Sequence, residues 1–289
     1  MSELLSWKIG RVQVTRVVET ELALPPEGLL PEATKDALEP HVSWLAPHFL
    51  HPDGQITLAI QALVVESQGR KILVDTCVGD REVPGFPSPD GSNAFLDQLA
   101  AAGFPRESID VVLCTHLHFD HVGWNTMRQD GAWVPTFPNA KYLFARVEYE
   151  HWQAETEAGR GQEYAFCFDD AVRPVVDAGL AELVETNHAI TPEVRFEATP
   201  GHTPGHVAVR IASDGAEGLI TGDLTHHPVQ WAEVDWKMPA DSDSAEAAAT
   251  RRRLIDEHAD TGTLVIGTHY AAPTAGRLVR SGKTAIFEA

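Results

Sequence analysis

The chain has 289 residues, 43% of them hydrophobic, which is enough to bury the core of one large domain. Its 42 acidic side chains outnumber its 22 lysines and arginines, and the net charge of -20 argues against nucleic acid and anionic lipid as partners. Only Cys77, Cys114 and Cys167 are present, too few for a disulfide framework, which favours a reducing compartment such as the cytoplasm.

The first half of the chain alternates predicted strands and helices. Short β-branched runs predict strands over 9–19, 57–65 and 71–75. Residues 23–54 contain six prolines and predict an irregular segment that covers another part of the fold. Apolar spacing predicts a helix over 93–102 that ends at Gly103. The strand predicted over 109–114 lacks polar alternation, as expected for a strand covered on both faces.

The second half continues the alternation. It predicts strands over 141–146, 194–199, 207–211, 219–221 and 264–267, and helices over 147–153 and 244–258. No run of about eighteen apolar residues occurs, and the N-terminus lacks the pattern of a signal peptide, so we expect no membrane partner. These elements predict a layered α/β sandwich that forms a single domain over residues 1–289.

A dense group of metal-binding side chains follows the predicted strand at 109–114. His116, His118, Asp120 and His121 stand within six residues. Neutral imidazole and carboxylate suit zinc, with iron, cobalt and manganese as alternatives. Residues two apart in an extended turn point to the same side, so His116 and His118 can reach one ion. Asp120 and His121 are then left to face a second ion.

Three further donors follow other predicted strands, namely His202, Asp223 and His269. Strand ends in an α/β sandwich can converge on one edge. This placement gives each ion three donors of its own: His116, His118 and His202 for the first, and Asp120, His121 and His269 for the second. Asp223 can bridge both ions through its two carboxylate oxygens.

The run from Thr115 to Gly123 resembles the signature of the metallo-β-lactamase fold superfamily. The segments at 201–206, 221–223 and 267–269 follow in the order that this superfamily uses. The resemblance spans residues 75–269 and implies a four-layer αββα sandwich with metals at one edge, together with the ligand assignment above. The layout of the whole chain is similar to the quorum-quenching lactonases and the methyl parathion hydrolase group.

The resemblance also implies roles for residues beside the ligands. Asp75 would orient a ligand imidazole by accepting its second N–H. Acyl-homoserine lactonases typically carry a tyrosine three residues after the bridging aspartate, where this chain has His226 followed by His227. The predicted catalytic residues are Asp120, Asp223 and His226, and the predicted substrate-pocket residues are Trp124, His227 and Tyr270.

These residues together predict a hydrolase that uses two divalent ions. Two cations that share one solvent molecule lower its pKa enough to supply a bridging hydroxide near neutral pH. Our first hypothesis is that the hydroxide opens a lactone or another carboxylic ester. Phosphotriester and β-lactam hydrolysis are the enzymatic alternatives, and a metal-containing binding or sensor protein is the alternative without catalysis. We expect a small-molecule substrate and leave a homodimer open.

Overall fold

The computed structural model describes residues 4–83, 94–161 and 164–289 of the chain. The backbone forms two compact units. The first comprises Met1–Lys8, Val12–Glu19 and Ile60–Thr186, and the second comprises Ile9–Arg11, Thr20–Ala59 and Asn187–Ala289. The first unit holds most of one seven-stranded sheet, and the second unit holds another seven-stranded sheet.

Sixteen strands occur in the described ranges, most of them short. In chain order they are β1 (Ser6–Ile9), β2 (Val12–Leu24), β3 (Ile56–Ser67), β4 (Arg70–Val74), β5 (Val111–Leu113), β6 (Thr126–Gln129), β7 (Ala132–Pro135), β8 (Lys141–Ala145), β9 (Ala181–Val184), β10 (Ala189–Thr191), β11 (Val194–Ala198), β12 (Val207–Ser213), β13 (Ala216–Ile220), β14 (Leu264–Ile266), β15 (Ala275–Ser281) and β16 (Thr284–Glu288).

Eight α-helices occur in the same described ranges. They are α1 (Pro26–Leu29), α2 (Lys35–Leu38), α3 (Val42–Leu45), α4 (Ala94–Ala101), α5 (Phe119–Val122), α6 (Arg146–Glu157), α7 (Arg173–Asp177) and α8 (Ser244–His258). The carboxylate of Asp243 caps α8 by accepting the backbone N–H groups of Ala245 and Glu246, each at 3.0 Å. The cap fixes the start of α8. The loop that carries Gly201 and His202 packs against this end of the helix.

The first sheet places several strand ends side by side. Its order is β1-β2-β3-β4-β5-β8-β9, and β4, β5, β8 and β9 run parallel. Val74 of β4 pairs with Leu113 of β5, and Leu113 pairs with Leu143 of β8. All of β5 is buried, as predicted from its lack of polar alternation. The carboxyl ends of β4, β5 and β8 therefore lie at one edge of the sheet.

The second sheet has the order β10-β11-β12-β13-β14-β15-β16. Here β13 and β14 are parallel, and Ile220 pairs with Ile266, so these two strands end together. Strand β12 is antiparallel to β13, with Val209 paired to Ile220. The loop that precedes β12 therefore lies beside the loops that follow β13 and β14.

Most predicted elements occur within a few residues of their expected bounds, and the strand predicted over 9–19 corresponds mainly to β2, which starts later. Gly10, with a φ of 58°, turns the chain and separates β1 from β2. The helix predicted over 93–102 corresponds to α4, and residue 93 lies outside the described residues. The predicted bounds of the long helix match those of α8.

The proline-rich segment at 23–54 contributes to the core of the second unit, which corrects the prediction that it is only an irregular cover. It contains the three short helices α1, α2 and α3. Leu29, Leu45 and Phe49 are buried in one apolar cluster together with Trp231 and Tyr270. Prolines keep the helices short, but they do not stop the residues between them from packing.

The three cysteines are free thiols and are buried. Burial raises the pKa of Cys77 and Cys114 well above the ordinary thiol value, and it raises the pKa of Cys167 to about 12. These thiols therefore stay protonated and unreactive near neutral pH. Among the residues described, no helix combines the length and the apolar composition that a bilayer crossing requires.

Candidate metal centre

The predicted donors of the first unit lie at the edge where its parallel strands end. Asp75 follows β4, and the run from His116 to His121 begins shortly after β5. His118 stands at the N-cap of α5, and Asp120 and His121 lie inside this helix. Since β4 and β5 end in register, Asp75 and the histidine run are neighbours in space.

The three imidazoles of the run are buried and close together. The ring centre of His116 lies 4.5 Å from that of His118 and 4.1 Å from that of His121. The Asp120 side chain keeps 13% exposure, and its Oδ1 lies 3.6 Å from Nε2 of His121. Buried imidazoles gathered beside a carboxylate are typical of a metal-ligand cluster.

Asp75 is buried and holds both His121 and the start of the run. Its Oδ2 accepts hydrogen bonds from His121 Nδ1 at 2.9 Å and from Thr115 Oγ1 at 3.0 Å. Its Oδ1 accepts the backbone N–H of Thr115 at 2.7 Å. The carboxylate therefore keeps the ring proton of His121 on Nδ1 and directs Nε2 towards Asp120.

Glu148, which the sequence did not single out, holds the backbone between two of the histidines. It lies in the first turn of α6, directly after β8. Its Oε1 accepts the backbone N–H of Leu117 at 3.0 Å and the indole N–H of Trp152 at 2.7 Å. Because Leu117 stands between His116 and His118, this buried carboxylate fixes the peptide that carries both rings.

Glu19 is a second glutamate that the sequence did not mark, and it is partly buried. It accepts hydrogen bonds from the backbone N–H groups of Val78 at 2.9 Å and Gly79 at 3.1 Å, and from the indole N–H of Trp124 at 2.6 Å. Burial raises the pKa of its carboxyl group, and the charge of Asp120 adds to the increase, while the three hydrogen bonds oppose it. Glu19 thus ties the turn after β4 to the residues that follow α5.

In the second unit, the sheet register brings His206 to Asp223. Extending the register of β12 and β13 by three residues places His206 opposite Asp223. The backbone N–H of Asp223 donates to His206 Nε2 at 2.8 Å, and His206 Nδ1 donates to the Thr199 carbonyl at 3.1 Å. Both ring nitrogens of His206 are therefore used by the fold, and its role is to fix the backbone of Asp223.

The carboxylate of Asp223 is the centre of the cluster in the second unit. Its Oδ1 lies 3.0 Å from His269 Nε2. Its Oδ2 lies 3.5 Å from His202 Nε2 and 3.0 Å from His226 Nε2. His202, Asp223 and His226 each offer a donor atom within 4.8 Å of the others, close enough to hold one metal ion. His226, predicted as a catalytic residue, is therefore part of this cluster.

Four of the predicted ligand histidines have their second ring nitrogen occupied by the protein. The contacts are His116 Nδ1 with Thr115 Oγ1 at 3.1 Å, His121 Nδ1 with Asp75, His202 Nδ1 with Asp241 Oδ1 at 3.0 Å, and His269 Nδ1 with the Ala59 carbonyl at 2.8 Å. Such contacts orient an imidazole so that Nε2 can bind a metal. The donor chemistry and these contacts fit divalent ions that accept imidazole and carboxylate ligands.

Trp124 and Tyr270, predicted to line a substrate pocket, use their polar atoms within the fold. The indole N–H of Trp124 donates to Glu19, and its ring stacks on Phe95 with 6.3 Å between ring centres. The Tyr270 hydroxyl lies 2.7 Å from Thr225 Oγ1. With residue exposures of 3% and 1%, both side chains are buried, and their role in a substrate pocket stays a prediction.

His227, also predicted to line the pocket, likewise uses both ring nitrogens within the fold. Its Nε2 donates to the Phe49 carbonyl at 2.8 Å, and its Nδ1 accepts the backbone N–H of Val229 at 3.2 Å. Burial lowers the pKa of His227 to about 4, and the bond to Phe49 opposes this shift only in part. The ring is therefore neutral near pH 7 and joins the 23–54 segment to the chain after β13.

The chain matches the model of the metallo-beta-lactamase superfamily over residues 57–269. This range contains every predicted metal ligand of both units. The chain therefore belongs to the metallo-β-lactamase superfamily. The predicted α/β metallo-β-lactamase fold class is confirmed, as is the prediction that the protein is a metal-dependent hydrolase.

Curated relatives are named for one activity within this superfamily. The chain is 25% identical over 191 residues to the N-acyl homoserine lactonase of Bacillus sp, which covers 61% of this chain and 68% of that protein. It is 26% identical over 184 residues to the N-acyl homoserine lactonase of Bacillus cereus, covering 59% and 65%. N-acyl homoserine lactonase AttM of Agrobacterium fabrum is 26% identical over 155 residues, covering 51% and 53%.

Solved structures share the fold over nearly the whole chain. The dizinc quorum-quenching lactonase AidC, in complex with a product, has a TM-score of 0.81 at 20% identity and covers 98% of this chain and 96% of its own. Hydrolase AbOPH of the beta lactamase superfamily has a TM-score of 0.81 at 22% identity, covering 100% and 98%. At these identities the likeness establishes the fold alone.

Proposed function

We propose that this chain is a lactonase, with N-acyl homoserine lactones as the first candidate class and other carboxylic esters as related substrates. The observation that carries the proposal is the complete donor set, which includes both Asp120 and Asp223, in a chain whose curated relatives are named N-acyl homoserine lactonases. Loss of either aspartate would instead have favoured a protein that only binds metal.

The proposed activity uses two divalent ions, and zinc is our first candidate. The proposed ligands are His116, His118 and His202 for one ion, Asp120, His121 and His269 for the other, and Asp223 for both. Support comes from the motif order of the superfamily and from the contacts that occupy Nδ1 of four of these histidines. When bound, the ions would lower the pKa of a shared water and polarise the substrate carbonyl.

Asp120 and Asp223 differ in how well they are placed to accept a proton. The carboxylate of Asp223 is buried and has three imidazole nitrogens within 3.5 Å, which suits a ligand held in one position. Asp120 keeps 13% side-chain exposure, and its Oδ1 lies 3.6 Å from Nε2 of His121. We therefore assign to Asp120 the acceptance of the proton lost by the attacking water.

His226 is our candidate donor to the substrate. It stands where acyl-homoserine lactonases typically have a tyrosine, and its Nε2 lies 3.0 Å from Asp223 Oδ2. Its Nδ1 is buried and has no hydrogen-bond partner within the described ranges. An imidazole N–H can donate to a carbonyl or leaving oxygen as a phenol O–H does. Lactone opening requires such a donor because the leaving alkoxide must gain a proton.

A substrate panel tests the proposal. Zinc-loaded protein is assayed with N-acyl homoserine lactones, aryl esters, a paraoxon-like triester and a β-lactam, and each reaction is followed by proton release or chromophore formation. We expect the highest kcat/KM with the lactones. Faster hydrolysis of the triester or the β-lactam would replace the lactonase proposal, and turnover of none by metal-loaded protein would favour a binding or sensor protein.

Two ligand variants test the metal site separately. We expect Asp223→Ala and His118→Ala to lose bound metal and to lower kcat at least about 100-fold, because each removes a donor atom. His48→Ala, at an exposed histidine, is the matched control. Metal content is measured by elemental analysis. Unchanged metal content and turnover in both ligand variants would end the two-metal proposal.

A pair of substitutions at one position tests the donor role. His226→Tyr keeps a hydrogen-bond donor and should retain lactone hydrolysis within about tenfold. His226→Phe has no donor and should lower kcat by about 100-fold or more with metal content preserved. Equal turnover by the phenylalanine variant and the wild-type protein would refute the role proposed for His226.

A further inference from the structure

The loop that carries His202 is clamped to the start of α8. Gly201 has a φ of 130°, and a Cβ atom there would lie 2.2 Å from the backbone nitrogen of Ala247. The carbonyls of Gly201 and His202 accept the backbone N–H groups of Asp243 and Ser242, each at 2.8 Å. The position of His202 is therefore set by the residues that lead into this helix.

Asp241 belongs to that leading segment and contacts His202 directly. Its Oδ1 accepts from His202 Nδ1 at 3.0 Å, and both side chains are fully buried. Its Oδ2 accepts from Arg251 Nη2 at 3.4 Å and from the backbone N–H of Met238 at 3.3 Å. Arg251 and the Met238 N–H therefore hold Oδ2 of Asp241, and Oδ1 is the oxygen that accepts from the His202 imidazole.

Arg251 holds this carboxylate from α8. The guanidinium is buried, and its Nε donates to the carbonyl of Leu224, the residue that follows the bridging aspartate, at 2.8 Å. Its Nη1 donates to the carbonyls of Val234 at 2.7 Å and Trp236 at 3.0 Å. One planar cation therefore joins Asp241 to the backbone beside Asp223, which only the fork of an arginine can do.

We propose that Asp241 and Arg251 are positioning residues that present Nε2 of His202 to a metal ion. The inference rests on the proposed function, since it takes His202 as a ligand. A carboxylate that accepts from Nδ1 keeps the ring proton there and makes Nε2 more basic. Without Asp241 the proton can move to Nε2, and that tautomer cannot bind an ion through Nε2. Neither residue needs to touch the metal or the substrate.

Metal affinity tests the proposal. Asp241→Asn keeps the size of the side chain but removes its charge, and zinc affinity is measured by competition with a chromogenic chelator. We expect the dissociation constant of one zinc to rise about 10- to 100-fold. Asp235→Asn, at an exposed carboxylate paired with Arg252, is the matched control and should bind zinc as the wild-type protein does. Circular dichroism of the metal-free proteins verifies that each variant is folded.

The tautomer of His202 distinguishes a positioning role of Asp241 from a role in stability alone. Long-range ¹H–¹⁵N spectra of the metal-free protein near pH 8 should show His202 protonated on Nδ1, and Asp241→Asn should reduce that preference. If Asp241→Asn does not fold, Arg251→Lys replaces it, because lysine keeps a cation but loses the fork. Its zinc affinity should fall in the same direction.

The outcomes distinguish this inference from the proposed function. Wild-type protein that binds no zinc would overturn both. Wild-type protein that binds two zinc ions, with unchanged zinc affinity and an unchanged tautomer in the folded variant, would overturn only the role of Asp241 and Arg251. His202 protonated on Nε2 in the metal-free wild-type protein would also overturn that role.

Discussion

Replacing His227 by glutamine tests how the burial of one imidazole couples stability to pH. Burial lowers the pKa of His227 from its ordinary value of 6.5 to about 4. The His227 imidazole is therefore protonated below about pH 6.5 in the unfolded chain, but only below about pH 4 in the folded protein. The free energy of unfolding falls as the pH is lowered through this window. Between about pH 7 and pH 4.5 the loss from this group is about 2 kcal/mol.

Glutamine does not titrate, and its amide nitrogen can keep the bond to the Phe49 carbonyl. At about pH 7 we expect His227→Gln to be about 1 kcal/mol less stable than the wild-type protein, because the Val229 N–H loses its acceptor. At about pH 4.5 the variant should be the more stable of the two. The assay is urea unfolding of metal-free protein, since metal affinity itself depends on pH. His48→Gln controls for the loss of one histidine, and a wild-type-minus-variant difference that is independent of pH would refute the reasoning.

Three further predictions follow from the site and its supports. Asp75→Asn, which tolerates the left-handed backbone at this position, should weaken zinc binding about 10- to 100-fold by removing the charged acceptor of His121, as measured by chelator competition. Gly123→Ala should cost about 3 kcal/mol or more in thermal unfolding, because its Cβ would lie 1.8 Å from the Val78 carbonyl oxygen, whereas Gly28→Ala should be tolerated. Chelation should abolish turnover, and added zinc should restore it.

Most of the candidate donors stand out in the sequence because they follow an apolar strand. The run that begins at His116 follows β5, Asp223 follows β13, and His269 follows β14. An apolar strand followed at once by imidazole or carboxylate is a local pattern, and parallel strands end at the same edge. The family and fold class follow from the same motifs.

Apart from Asp75, which the motif resemblance marks, the residues that hold the candidate donors could not be predicted, because their contacts are distant along the chain. Asp241 is 39 residues from His202, and Glu148 is 31 residues from Leu117. Glu19 is 105 residues from the indole that it binds. No local pattern links such partners, and a buried carboxylate in a loop or a first helical turn looks like any solvated acidic residue until the chain is folded.

The two adjacent histidines after β13 reach different partners, which their neighbouring positions in the sequence do not reveal. In extended backbone, successive side chains point to opposite sides, and both Thr225 and His227 have extended φ and ψ angles. Thr225 therefore reaches Tyr270, and His227 reaches the Phe49 carbonyl, while His226 turns towards Asp223.

The same alternation separates the consequences of substitution at these neighbouring positions. The aromatic rings of Phe49 and Tyr270 pack together with 6.2 Å between their centres. Because Thr225 contacts Tyr270 and His227 contacts Phe49, changes at Thr225 or His227 should disturb this core packing. We expect a change at His226 to alter the proposed donor beside Asp223 and to leave those core contacts in place. Substitutions at His226 can therefore test the proposed donor role separately from the packing of Phe49 and Tyr270.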